Sequence, residues 1–212
     1  MLLDFDFLKK KYNLNINGIL HIGAHFGQEF EIYERHQISN LIFFEALPHT
    51  FETLKNNISN KKVLGKSPIL VNKALGNTTG ELEMYVEQAN QGQSSSILKP
   101  NLHLSQYPWI QFNSKIKVDM IRLNDYDFNK FDYNFINIDV QGYALEVFKG
   151  ADVVLNYIDY IYTEVNFADV YDNCVKVEEL DNFLSKFGFT RVETDYSGKT
   201  WGDALYIKEN KI

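Results

Sequence analysis

The chain reads as an α/β protein built on a mostly parallel sheet. Three observations predict this. Short apolar runs recur along the 212 residues, and most are followed by a stretch of helical periodicity. The last two runs are joined only by a glycine-containing turn, so that pair is antiparallel.

Taken in order, residues 2 to 12 place Leu2, Phe5, Leu8 and Tyr12 near helical spacing, which predicts a short amphipathic helix. Gly18-Ile19-Leu20-His21-Ile22 reads as a buried strand, Gly23-Ala24-His25-Phe26-Gly27 as a tight turn, and Gln28 to His36 as a helix. Leu41 to Glu45 is a second strand. Strand, turn, helix and strand thus fit within roughly 30 residues, the size of a βαβ unit. Beyond Pro48, a helix near Thr50 to Ile58 puts Phe51, Leu54 and Ile58 on one face, and Ile69-Leu70-Val71 is a third strand.

Residues 80 to 123 break the rhythm. Leu82, Met84 and Val86 alternate with Glu81, Glu83, Tyr85 and Glu87, and Ile116, Val118 and Met120 alternate with Lys115, Lys117 and Asp119. This period of two predicts a pair of half-exposed strands. Between them lie the polar run Gln91-Gly92-Gln93-Ser94-Ser95-Ser96 and the aromatic Tyr107-Pro108-Trp109. The stretch reads as a flap inserted between the third and fourth core strands of a single domain spanning 1–212. The alternation then resumes with a strand Phe135 to Asp139, a helix within Tyr143 to Val154, and a strand Tyr160 to Glu164. A helix marked by Val177, Leu180, Phe183, Leu184 and Phe187 follows, then strands Arg191 to Thr194 and Ala204 to Ile207.

Composition narrows the function classes. Apolar residues at 45% and charged residues at 23% describe an ordinary globular chain, and the 16 Phe and 13 Tyr read as core and pocket lining. A formal net charge of −7 excludes a broad basic footprint for nucleic acid. Cys174 is the sole cysteine, which excludes an internal disulfide and a Cys-rich metal site. No apolar run is long enough to span a membrane, and MLLDFDFLKKKY lacks the pattern of a signal peptide, so a cytoplasmic location is expected.

In sheets of this kind, ligands bind outside the carboxyl ends of the strands. There the sequence places the glycine turn after the first strand, Glu45 after the second, Asp139 after the fourth and Glu164 after the fifth. One strand-end acid can simply cap the next helix, and a glycine can simply permit a tight turn. Three acids and the turn together suggest a site. Glu45 lies about 20 residues beyond the turn, where an acid accepts hydrogen bonds from ribose hydroxyls. A dinucleotide fingerprint would read G-x-G-x-x-G. Here the spacing is G-x-x-x-G, and His25 stands where a pyrophosphate would need the middle glycine. The turn therefore suits a nucleoside ligand without phosphates, such as S-adenosylmethionine, over a nicotinamide dinucleotide.

"HIGAHFGQE", "FFEALP", "NKALGNTTGELEMYV", "SSSIL", "IRLNDYDF" and "INIDVQGYALEVFKGA" follow one another as in FkbM-type methyltransferases, which the chain resembles from about residue 18 to 208. The resemblance implies a Rossmann-like, doubly wound sheet of seven strands with an antiparallel C-terminal strand. It also implies S-adenosylmethionine-dependent O-methylation of a sugar or glycan hydroxyl. The alternatives are a non-sugar small metabolite or lipid headgroup as acceptor, or a non-catalytic binding domain that keeps the fold. On this resemblance Gly23, Ala24, His25 and Gly27 hold the methionine part of the cofactor. Glu45 holds the ribose, with Ala46 and Leu47 beside the adenine; Ala74 and Leu75 close over the adenine, and Ser95 and Ser96 belong to a covering loop. Asp139 and Glu164 act on the acceptor, Asp139 also touching the cofactor. They serve as a general base, as positioning groups, or as ligands of a divalent metal such as Mg²⁺ completed by Asn166. The family commonly has Glu where Gln141 stands, which weakens a metal or catalytic role for that position.

Among the histidines, His21 is expected in the core and His25 as a hydrogen-bonded turn residue. His103, Tyr107, Trp109 and Trp201 either stack on a sugar ring or anchor the flap.

Overall fold

A computed structural model describes residues 2–212. The main sheet contains β1 (Gly18–Ile22), β2 (Asn40–Phe44), β3 (Ile69–Val71), β7 (Phe135–Ile138), β8 (Tyr160–Asn166), β9 (Phe189–Thr194) and β10 (Trp201–Lys208). A smaller sheet holds β4 (Ala74–Leu75), β5 (Gly80–Val86) and β6 (Ser114–Ile121). The helices are α1 (Phe5–Lys11), α2 (Phe30–Arg35), α3 (Pro48–Ile58), α4 (Leu102–Gln106), α5 (Ala144–Lys149) and α6 (Val177–Leu184).

The main sheet runs in the order β3-β2-β1-β7-β8-β10-β9. Pairs among β3, β2, β1, β7 and β8 are parallel, and β10 is antiparallel to both β8 and β9. This is the expected α/β architecture with an antiparallel C-terminal strand. Alternation along the strands sorts their side chains between two layers. Ile19, Leu41, Phe43, Phe135 and Leu205 pack with Phe5 and Leu8 of α1, Phe30 and Tyr33 of α2, and Leu54 and Ile58 of α3. Leu20, Ile22, Ile42, Ile136, Ile138 and Tyr206 pack with Val147 and Phe148 of α5 and Leu180 and Leu184 of α6. Both faces are covered, so the strands read as unbroken apolar runs.

One polar group crosses that pattern. His21 bonds Tyr33 Oη at 3.3 Å through Nδ1, and Asn137 Nδ2 donates to the same Oη at 2.6 Å. Burial pushes the imidazole pKa down to about 4, so His21 is a neutral core residue as expected.

Element ends differ from expectation for local reasons. The first helix starts at Phe5 because Asp4 caps it, its side chain accepting from Phe7 N at 2.7 Å. Helix α2 starts at Phe30, since His25 (φ 48°) and Gly27 (φ 78°) keep the chain in a turn. The two half-exposed strands do pair, from Gly80 opposite Met120 to Val86 opposite Ser114. Strand β4 joins them in parallel alignment with β6. Its two residues are too short to register as a periodic pattern.

Candidate active site

Strand register builds the floor of the site. Ile22 is level with Phe44 and with Ile138, and Ile138 is level with Thr163. The next residue on each strand is Glu45, Gly23, Asp139 and Glu164, so these stand together at the carboxyl edge. Glu164 is directly opposite Asp203 on β10. Four carboxylates therefore share one row. Sequence reading missed Asp203 because β10 runs backwards, bringing its beginning to the cleft. Asp203 lines neither cavity: its carboxylate accepts from Leu2 N and Tyr162 Oη, and it acts on the site only through its charge beside Glu164.

Gly23 has no alternative. Its φ is 79°, and a Cβ would lie 1.8 Å from the Asp139 carbonyl oxygen. The turn that follows is fastened to β2. Gly23 N and Ala24 N donate to Phe44 O, and His25 N donates to Glu45 Oε2 at 2.9 Å. Glu45 Oε1 accepts from Leu47 N, also at 2.9 Å. Each Glu45 oxygen keeps acceptor capacity beyond these bonds. Burial pushes the Glu45 pKa up to about 7 despite the backbone donors.

A cleft open to solvent lies over this row. Gly23, His25, Glu45, Ala46, Leu47, Ala74, Leu75, Ser95 and Asp139 line it, as do the apolar Ile22, Phe44, Met84 and Ile97. Three expected residues lie elsewhere. Ala24 is packed in the core beside α2, and the Gly27 Cβ direction points at Leu54 Cδ1, 2.7 Å away. Ser96 is fully buried, its Oγ donating to Gln141 O at 2.7 Å.

A second, larger cavity shares His25, Gln93, Asp139 and Gln141 with the cleft and adds Glu164. Gln141 stands at the junction. Its Nε2 donates to Asp139 Oδ1 at 2.6 Å and to Glu164 Oε2 at 2.8 Å, while its Oε1 accepts from Tyr171 Oη at 2.7 Å. Burial and the Asp203 charge push the Asp139 pKa up to about 6. Glu164 is held well above the ordinary carboxylate range by burial, then by Asp139 and Asp203.

The donor set does not suit a divalent metal. Gln141 presents N–H hydrogens to both carboxylates, where a cation would have to sit. Asn166 is buried and lines neither cavity. Among the described residues, no three His, Cys, Asp or Glu side chains are grouped to hold an ion.

The loop from Glu87 to Ser96 forms the wall between the cavities. Gln28 Nε2 donates to His25 Nδ1, which leaves His25 Nε2 to donate to Gln91 O, both at 2.8 Å. With both nitrogens engaged, His25 is a turn-fastening residue. Glu87 accepts from the backbone N of Asn90 and of Gly92, and Tyr171 Oη lies 3.0 Å from Ser94 O. The role of Tyr171 in this wall had no local signal in the sequence.

Over 96 residues the chain is 31% identical to the 2-O-methyltransferase NoeI of Sinorhizobium fredii, a match covering 44% of this chain and 40% of NoeI. The fold is shared with magnesium protoporphyrin IX methyltransferase (ChlM) of Synechocystis, solved with bound SAM. That likeness has a TM-score of 0.51 at 8% identity, covering 90% of this chain and 69% of ChlM. It is shared also with Sp1610 of Streptococcus pneumoniae, a putative tRNA (m1A22) methyltransferase solved with S-adenosyl-L-methionine. There the TM-score is 0.51 at 14% identity, covering 97% of this chain and 73% of that one. The family model described as the methyltransferase FkbM domain matches residues 21–191, most of the chain, and the chain belongs to that family.

Proposed function

We propose that the protein transfers a methyl group from S-adenosylmethionine to a hydroxyl of a sugar or glycan. One observation carries the reading: a cleft floored by Glu45 adjoins, across Asp139 and Gln141, a second cavity lined by Glu164. Donor and acceptor would meet at that junction. The family match and the partial likeness to a 2-O-methyltransferase support it.

The cofactor supplies an electrophilic methyl carbon on its sulfonium sulfur. Glu45 accepts hydrogen bonds from the ribose hydroxyls, and Ala46, Leu47, Ala74 and Leu75 hold the adenine. Gly23 and His25 flank the methionine part, and Ser95 closes the wall. Residues 80–123 act in this reading as a flap on one catalytic unit. The acceptor hydroxyl is a poor nucleophile until its proton leaves. Glu164 or Asp139 receives that proton, a contribution of about 100- to 10,000-fold. Gln141 fixes both carboxylates toward the junction, and alignment of the two chambers supplies the rest.

The test is incubation with methyl-labelled cofactor and a panel of mono- and oligosaccharides, read by mass spectrometry. A labelled sugar ether is the expected product. Labelled product only from non-sugar acceptors, or no cofactor binding by calorimetry, would overturn the reading.

A further inference from the structure

The wall of the second cavity selects the charge of its occupant, an inference that rests on the reading above and narrows it. Among the described residues, no lysine or arginine lines this cavity. An anionic group entering a partly enclosed space needs a cation or several N–H donors to offset its lost hydration. Here the only charged side chains are the acids Glu29, Asp139 and Glu164, set among the neutral amides of Gln28, Asn90 and Gln93, with Asp203 beside Glu164 on the neighbouring strand. Their field opposes a carboxylate or phosphate.

One side of the cavity is aromatic. His103 and Tyr107 rings lie 5.1 Å apart, and Tyr107 and Trp109 meet edge to face at 5.6 Å. Trp201 Nε1 donates to Tyr107 Oη at 2.9 Å, joining the last hairpin to the flap. Such flat, partly apolar faces cover the C–H face of a pyranose while leaving its hydroxyls free to bond. Within this wall His103 is only 5% exposed, and its Nδ1 has no hydrogen-bond partner. The ring borders the cavity, and its buried Nδ1, unpaired in the free protein, gains a partner once the ring turns it toward a bound hydroxyl. Burial holds the imidazole below its ordinary pKa, so it offers one donor and one acceptor, the complement of a hydroxyl.

We infer that this cavity receives a neutral sugar ring, stacked on Trp201 and Tyr107 and hydrogen-bonded by His103, and that it rejects rings bearing a carboxylate or phosphate.

Trp109 and Trp201 are the only two tryptophans of the chain, and both line this cavity. Intrinsic fluorescence is therefore a local readout. The full chain, with S-adenosylhomocysteine binding established by calorimetry, is titrated with neutral methyl pyranosides of gluco, galacto, manno and 6-deoxy configuration. The matched uronates and 6-phosphates are titrated alongside. At least one neutral ring is expected to give a saturable change, its anionic counterparts binding at least about tenfold more weakly. His103→Ala should weaken the neutral ring about tenfold, the loss of one hydrogen bond, and His103→Gln, which keeps a donor and an acceptor, should restore part of it. Trp201→Ala should weaken binding with thermal melting showing a folded protein.

Equal or tighter binding of the anionic rings would overturn the inference. So would a lack of saturable response to every neutral ring in a protein that binds S-adenosylhomocysteine. Unchanged affinity in folded His103→Ala and Trp201→Ala would do the same. Failure to bind S-adenosylhomocysteine would instead overturn the methyltransferase reading itself.

Discussion

Gln141 occupies a left-handed backbone conformation, φ 50°, with its carbonyl held by Ser96 Oγ and its amide oxygen by Tyr171. Its NH₂ is thereby turned toward Asp139 and Glu164. The clamp fixes where the two carboxylates stand without removing either. Replacing Glu164 by Gln keeps the shape and removes one of the two proposed proton acceptors, which tests whether Glu164 is the base. Turnover should fall about 100-fold or more, with S-adenosylhomocysteine affinity unchanged by calorimetry because Glu164 lies outside the cofactor cleft. Glu45 behaves differently. In the proposed reading ribose hydroxyls donate to its ionised carboxylate, and burial has raised its pKa to about 7. Cofactor affinity should therefore fall as pH drops from about 8 to about 6. Glu45→Gln should lose about 10- to 100-fold at the higher pH and show a flatter profile, also by calorimetry.

At the level of elements, the turn after β1 and the loop after β5 do most to shape the site. The turn is rigid because Gly23 lies against the Asp139 carbonyl. Gly23→Ala forces either strand separation or backbone strain, and about 3 kcal/mol or more of stability should be lost in urea unfolding. The glycine turn, the alternating strands and the strand-end acids were legible in the sequence because each is a local pattern. Ile19 to Ile22 had a buried strand's composition, and Leu82 to Val86 had a half-exposed strand's period. The loop's anchors were not legible. The bonds from Ser96 to Gln141 and from Tyr171 to Gln141 join residues 45 and 30 positions apart, and no periodicity announces such pairings. Gly27 and Ala24 misled for the same reason. A turn's sequence does not say which of its residues face the cleft and which face α2 and α3.

Across the whole molecule, the acids of the floor couple protonation to folding. Glu45, Asp139 and Glu164 all bind protons more tightly folded than unfolded. Their contribution to stability is complete below the unfolded carboxylate range of about 4 and is lost as pH rises through about 6 for Asp139 and about 7 for Glu45. His21, held down to about 4, works the other way below about 6.5, but the three acids outweigh it, so the ligand-free protein should melt at a higher temperature near about pH 5 than near about pH 8. An Asp139→Asn, Glu45→Gln double variant should flatten that slope in calorimetric melts at matched ionic strength. The surface acids Asp6, Glu193 and Asp195 are shifted the other way, by hydrogen bonds, and act only at lower pH.

The loop from Glu87 to Ser96 lines both chambers, Gly92 and Ser95 facing one and Asn90 and Ser94 the other. A ligand on either side settles against the same short loop, with Gln93 lining both chambers. Reciprocity follows from linkage alone: by whatever factor the bound cofactor tightens the acceptor, the acceptor tightens the cofactor by that same factor.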